Sequence, residues 1–325
     1  MELALSIDIG GTNTKVALIA YSGKIVATDS IPTQRFENES AYFRGLFRAI
    51  GNLLKRISVD YKLTGIGIGA PSCNEAEGII ERPANLPFSD RVEIVQIISQ
   101  QYGLPTFLTK DSSAATLGEH LYGAAVGIDN FVLLTLGTGL GCGMMINGEI
   151  VKGANGLAGE FGHTTVDLNG RACTCGKRGC LETYVSATGL KRTVFELMAT
   201  TTLPSVFRRI SYDHLTSVQI FEAAQKEDPI ALYAFKETGK VLGWKLADII
   251  SYVEPEMIIL TGGLSKAGNL LIEPAMKSME DNLLGMFKGL VQIRTSALGV
   301  NNAALLGAAW LVWQNQVIHI KAENN

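Results

Sequence analysis

Two apolar strands, each running into a glycine turn and a returning strand, recur at the start of the two halves of this chain, and they constrain its fold more than any other feature. The first copy has an apolar run over 3–9, the turn Gly10-Gly11-Thr12-Asn13 and a returning strand over 14–19. A third strand is expected over about 25–31. The second copy has a strand over 131–136, the turn Gly137-Thr138-Gly139, a strand over 141–146, and Asn147-Gly148 as a hairpin turn into a third short strand. The two halves match in order and spacing, which implies two α/β domains built alike.

Length agrees with two domains, since 325 residues exceed one compact core of about 100 to 200. Between the two openings, the spacing of Phe43, Leu46, Phe47, Ile50, Leu53 and Leu54 predicts a helix over 40–57, and a strand follows over 65–70. Asp90 with Glu93 reads as a capping box opening a helix to about 101, and a strand over 106–109 delivers Asp111 to the start of another helix. The longest helix is expected from Asp228 as N-cap, with Pro229 behind it, to Val253, burying a seam of Leu232, Phe235, Leu242, Leu246, Ile249 and Val253. A strand over 257–261 then meets Gly262-Gly263. No proline- or serine-rich linker separates the halves, so the expected boundary is a hinge near residue 115. That gives a small domain over 1–115 and a larger one over 116–301, with the last helix, 302–325, crossing back to the first.

Charge and composition exclude several classes. A net charge of -3 leaves no basic footprint for a phosphate backbone, so nucleic acid is not an expected partner. Asp8 interrupts the first apolar run too early for a secretory signal, and no stretch reaches about 18 uninterrupted apolar residues. The expectation is a cytoplasmic protein with no membrane partner.

Backbone N–H groups in the turns at Gly10–Asn13 and Gly137–Gly139 are unshielded by side chains, and with the Thr12 and Thr138 hydroxyls they can cradle phosphates. Taken singly, such turns are ordinary hairpin glycines, and only the matched pair favours a nucleotide. Helix-based phosphate motifs do not fit. Residues 142–146 read as strand where a dinucleotide fingerprint needs a helix, and 170–177 has the wrong spacing for a P-loop. Three of the five cysteines crowd into Cys173-x-Cys175-x4-Cys180, which suits a metal in a reducing compartment better than disulfides. His163 stands upstream as the fourth ligand of a closed, tetrahedral Cys3His zinc set. Cys73 and Cys142 read as buried small side chains.

With these residues in place, the chain resembles the ROK family of sugar kinases and sugar-responsive repressors, in its glucokinase and hexokinase branch. The residues that carry the resemblance are Asp8-Ile-Gly-Gly-Thr-Asn-Thr-Lys15, Leu136-Gly-Thr-Gly-Leu-Gly141, Gly159-Glu-Phe-Gly-His163, Cys173-x-Cys-Gly-x-x-Gly-Cys-x-Glu182 and Thr261-Gly-Gly263. The resemblance implies the actin-like, hexokinase-like (ribonuclease H-like) pair of α/β domains with a cleft between them and a structural zinc loop over 163–182. It implies ATP with Mg2+, and transfer to a hexose, glucose first. Asp111 matches the family's general base, and its place at a helix start favours the carboxylate. Asn85, Lys110, Glu160, His163 and Glu182 match positions that bind the sugar, so His163 would give one ring nitrogen to zinc and the other to substrate. Asp8, Gly10, Gly11, Thr12, Asn13, Lys15, Gly137, Thr138, Gly139, Gly262 and Gly263 fall to the nucleotide and Mg2+. Members are often dimers or tetramers, so a homo-oligomer is expected.

The sequence departs from the family around the base, where Lys110 and Ser113 flank Asp111-Ser112 in place of asparagines, and at Ser89, where many members have Trp. These changes leave an N-acetylmannosamine, N-acetylglucosamine, fructose or allose kinase as alternatives. From another class come a repressor, which would carry an N-terminal DNA-binding domain, and a non-catalytic sugar sensor.

Overall fold

The computed structural model describes residues 1–58, 60–83, 86–88, 90–298 and 302–323, with side chains of the last helix described as far as 315. Contact density divides the chain into two compact units: Met1–Gly127 with Lys152–Ala158 and Ala297–Asn325, and Ile128–Val151 with Gly159–Ser296.

The first unit is built on β1 (Glu2–Ile9), β2 (Asn13–Ala20) and β3 (Ile25–Pro32), an antiparallel meander, extended by β4 (Lys62–Ala70) parallel to β1. Between β3 and β4 lies α1 (Glu39–Lys55), capped by the Asn38 side chain and burying Tyr42, Leu46, Ile50 and Leu53 at helical spacing. Three short strands, β5 (Cys73–Asn74), β6 (Ile79–Glu81) and β7 (Arg91–Val92), form a small sheet before α2 (Ile94–Tyr102). The expected capping box at Asp90 is therefore wrong. Arg91 and Val92 pair with Glu81 and Ile80 as strand, and the Glu93 carboxylate accepts from Arg91 Nε at 2.9 Å instead of capping. The fifth strand, β8 (Thr106–Lys110), runs parallel to β4 and delivers α3 (Asp111–Tyr122), giving the order β3-β2-β1-β4-β8.

The second unit repeats the plan. An antiparallel meander of β9 (Phe131–Leu136), β10 (Leu140–Ile146) and β11 (Glu149–Ile150) turns at Asn147 and Gly148, both at positive φ as a two-residue hairpin needs. After α4 (Ala187–Thr200), α5 (Ser217–Gln225) and α6 (Pro229–Val253), β12 (Met257–Thr261) adds in parallel to β9. Then α7 (Asn269–Asn282) leads to β13 (Gln292–Thr295), completing the order β11-β10-β9-β12-β13. The Asp228 carboxylate caps α6 on the N–H groups of Ile230 and Ala231. Its seam of Phe235, Leu242, Leu246 and Ile249 is buried, whereas Leu232 is 38% exposed and belongs to the outer face.

The last helix, α8 (Ala303–Glu323), lies with the first unit, packed on α3 and β4. Its small residues explain how closely. A β-carbon on Gly307 would run into the Ala114 carbonyl, and one on Gly67 of β4 into the Ala308 carbonyl. The division between the units falls at Gly127/Ile128 and not at a hinge near 115, because α3 continues to Tyr122, whose hydroxyl donates to the Tyr21 carbonyl at 2.9 Å. Cys73 and Cys142 are buried, at 6% and 1% exposed. Among the described residues no helix is long and apolar enough to cross a membrane.

Candidate active site

In the first unit, three parallel strands end together: Asp8 of β1 is in register with Gly69 of β4, and Gly69 with Thr109 of β8. Such C-terminal strand ends are where open α/β sheets present their polar groups. Here they present two carboxylates. A β-carbon on Gly69 would lie 3.3 Å from Ala114 Cβ, 3.7 Å from Asp111 Cα and 4.0 Å from Asp8 Oδ1, so the glycine packs close to both aspartates. Burial, and then the charge of Asp111, pushes the Asp8 carboxyl up to about 7, with Lys15 pulling the other way. Lys15 is the register partner of Asp8, and burial holds its ammonium below its ordinary value. Asp111 opens α3, and its Oδ1 accepts the N–H of Ser112 at 2.7 Å.

The turn over Gly10–Asn13 is closed by Gly10 N–H donating to Asn13 O at 3.0 Å. It is braced from behind by residues the sequence did not single out. Thr33 donates its hydroxyl to Gly10 O at 2.8 Å and its N–H to Thr12 O at 2.9 Å. Its hydroxyl and that of the buried Tyr42 each lie 2.9 Å from the Thr14 hydroxyl. These partners are too distant along the chain to leave a local signal.

In the second unit, the turn Gly137–Gly139 stands at the end of β9 and Gly262-Gly263 at the end of its parallel neighbour β12. Gly137 N–H donates to Gly139 O at 3.0 Å, and Ala187 N–H at the start of α4 donates to Gly137 O at 2.8 Å. Gly262 has φ +93, and a β-carbon there would sit 2.5 Å from Leu136 O, so only glycine fits.

Glu160, His163 and Glu182 gather in the same unit. His163 Nε2 faces Glu160 Oε2 at 3.8 Å, while Nδ1 faces Glu182 Oε1 at 3.8 Å and Cys173 Sγ at 3.7 Å. The ligand atoms of His163, Cys173, Cys175 and Cys180 all lie within 4.8 Å of one another, a donor set that fits a tetrahedral metal ion. Gly176 and Gly179, at φ +89 and +69, make the tight turns of this knuckle. Burial, together with Glu182 accepting from its Sγ at 3.2 Å, pushes the Cys173 thiol up to about 12; metal binding would have to displace that proton. The knuckle is fastened by Arg171, another residue the motif reading passed over. All five of its N–H donors are used, on Glu196, the carbonyls of Thr183 and Gly189, and the Thr193 hydroxyl, and its guanidinium stacks 4.3 Å from the Tyr184 ring centre.

Lys110 turns its ammonium to the Ala158 carbonyl at 3.2 Å. Asn85 and Ser89 lie outside the described residues.

The ROK family model matches residues 4–315. The chain belongs to the ROK family. A glucokinase of Halalkalibacterium halodurans is 36% identical over 321 residues, covering 96% of this chain and 95% of that protein. A ROK family glucokinase from Streptomyces griseus, in complex with glucose and AMPPNP, superposes with a TM-score of 0.83 at 30% identity, over 96% of this chain and 99% of that one. The xylose repressor of Caldicellulosiruptor bescii is 28% identical over 271 residues, 83% of this chain and 68% of that protein. The two-domain α/β architecture of this ROK protein is thus the one that carries glucose and a nucleotide analogue in the Streptomyces griseus enzyme.

Proposed function

We propose that this protein is an ATP-dependent hexose kinase whose first substrate is glucose, phosphorylated at the 6-hydroxyl. The observation that carries the reading is Asp111, a carboxylate at a helix start beside Asp8, whose own neighbour is Lys15. Asp111 takes the proton as the sugar oxygen forms its bond to the γ-phosphorus, and the bond from that phosphorus to the bridging oxygen breaks, releasing ADP. Glu160, His163 through Nε2, and Glu182 hold the sugar hydroxyls, with Lys110 and Asn85 assigned beside them. The turns at Gly10, Gly11, Thr12, Asn13 and at Gly137, Thr138, Gly139, with Lys15, Gly262 and Gly263, bind the nucleotide. Asp8 would hold Mg2+, which when bound would supply charge neutralisation for the phosphates, so that this chain's own residues contribute positioning and electrostatics. His163, Cys173, Cys175 and Cys180 would hold zinc in a structural part, since four protein ligands would leave no open position. The same reading makes this a cytoplasmic enzyme working as a dimer or tetramer.

The test is ADP release from MgATP by the purified protein against glucose, mannose, N-acetylglucosamine, N-acetylmannosamine, fructose and allose. Turnover led by glucose is expected. Turnover led by an N-acetyl sugar would replace glucose as substrate, and none with any sugar would move the protein to the sensors.

A further inference from the structure

We propose that Glu75 is a positioning residue of the phosphoryl transfer, latching the segment 152–158 onto the strand end that presents Asp111. The inference rests on the kinase reading above. Glu75 sits in the connection between β5 and β6, and its side chain is 17% exposed. Its Oε1 accepts the Thr109 hydroxyl and, at 3.3 Å, the Lys110 N–H, so it grips the last two residues of β8 directly before Asp111. Its Oε2 pairs with Lys152 Nζ at 2.7 Å.

The far end of the segment is tied to the same place, because Lys110 Nζ donates to Ala158 O at 3.2 Å. The segment itself closes into a loop by Ala158 N–H donating to Lys152 O at 3.0 Å. These ties account for an otherwise odd fact: Lys152–Ala158 belongs to the first unit although the chain on either side of it belongs to the second. The residues that follow at once are Gly159 and the sugar-binding Glu160. One carboxylate therefore fixes both the backbone before the base and the segment before a hydroxyl ligand. The Lys152 side chain is 59% exposed, so the ion pair adds little to global stability. Its effect is on geometry.

Glu75→Gln separates the two grips, since the amide oxygen still accepts from Thr109 and Lys110 while the charge facing Lys152 is gone. The expected result is a rise of about tenfold in KM for glucose, with kcat and KM for ATP within about twofold of wild type. Lys152→Gln should reproduce it, Lys152→Arg should rescue it, and the double variant Glu75→Gln/Lys152→Gln should be no worse than either single one, because both remove one interaction. Hydrogen exchange of the amides over 153–158 should quicken in both Gln variants and in few other places. Unchanged KM for glucose in Glu75→Gln, or a lowered melting temperature with unchanged KM, would overturn the proposal. The exchange readout needs no sugar: a wild-type chain without turnover would sink the kinase reading, while unchanged exchange in Glu75→Gln would sink the latch by itself.

Discussion

A β-carbon on Gly139 would lie 2.6 Å from Oε2 of Glu182, the same oxygen that accepts the Leu140 N–H at 3.3 Å. Glycine at the second position of the turn thus leaves room for the end of a carboxylate assigned to the sugar. Gly139→Ala must push Glu182 aside. The expected outcome is a loss of up to about a hundredfold in kcat/KM for glucose, the usual cost of an ångström of misplacement, with little change in melting temperature. Gly137 has nothing within 4 Å of the same added methyl. Steady-state kinetics of Gly137→Ala should therefore move KM for ATP while leaving Glu182, and KM for glucose, in place; a matched effect on glucose in both variants would refute the assignment.

Asp111→Asn tests the base. An amide can still accept the Ser112 N–H that the carboxylate accepts at 2.7 Å, so the first turn of α3 keeps its geometry. Proton removal is lost, and kcat should fall by about a hundred- to ten-thousandfold while the melting temperature and metal content stay as in wild type. Turnover near wild type would remove Asp111 from the mechanism.

The raised Asp8 carboxyl has a consequence for stability. Its folded value of about 7 stands above its ordinary 3.8, so between those values the folded chain holds a proton that the unfolded chain has lost. Stability of the ligand-free protein should accordingly fall as pH rises from about 4 to 7 and stay low above that, by a few kcal/mol at about 1.4 kcal/mol per unit. Asp8→Asn removes the titration. Denaturant midpoints should show the variant more stable than wild type at pH 8, by a smaller margin at pH 5, with the two converging below about pH 4; the reverse order would mean that Asp8 is stabilised as the anion.

The strands that frame both halves were legible because each is an apolar run cut by glycines, a pattern that only a buried strand and a turn satisfy. The start and end of α6 were legible for the same local reason, in Asp228-Pro229 and Glu254-Pro255. Its partner α7 was not. It presents Leu271, Ala275, Ser278 and Met279 to the core, with Pro274 inside, against Gly239 and Gly243 of α6, and so small a stripe has little contrast with its polar neighbours. The site divides in the same way. Asp111, His163 and the cysteines stand in short motifs, whereas Thr33, Glu75 and Arg171 act through partners brought near by folding. Thr33 meets Gly10, 23 residues away, and Glu75 meets Thr109, 34 away.

Cys175 offers the cleanest test of the metal centre because it is exposed, whereas Cys173 and Cys180 are buried. Replacing its sulfur by oxygen costs no core packing, so the loss of stability expected in Cys175→Ser is the one that comes through the ion it would help to hold. A hundredfold loss of metal affinity corresponds to about 2.7 kcal/mol, which in a unit of this size lowers the melting temperature by roughly 5 to 11 °C. Zinc per chain, measured by elemental analysis, should fall from about one in the wild type, and a chelator should bring the wild-type melting temperature down to that of the variant while leaving the variant where it was. KM for glucose should rise as well, since His163 Nδ1 and Glu182 Oε1 both face Cys173 across the knuckle, at 3.7 and 3.2 Å, and a loosened knuckle releases both. Unchanged zinc content together with an unchanged melting temperature would refute the centre. A melting temperature lowered with zinc retained would make Cys175 a structural thiol and leave the ion to the other three ligands.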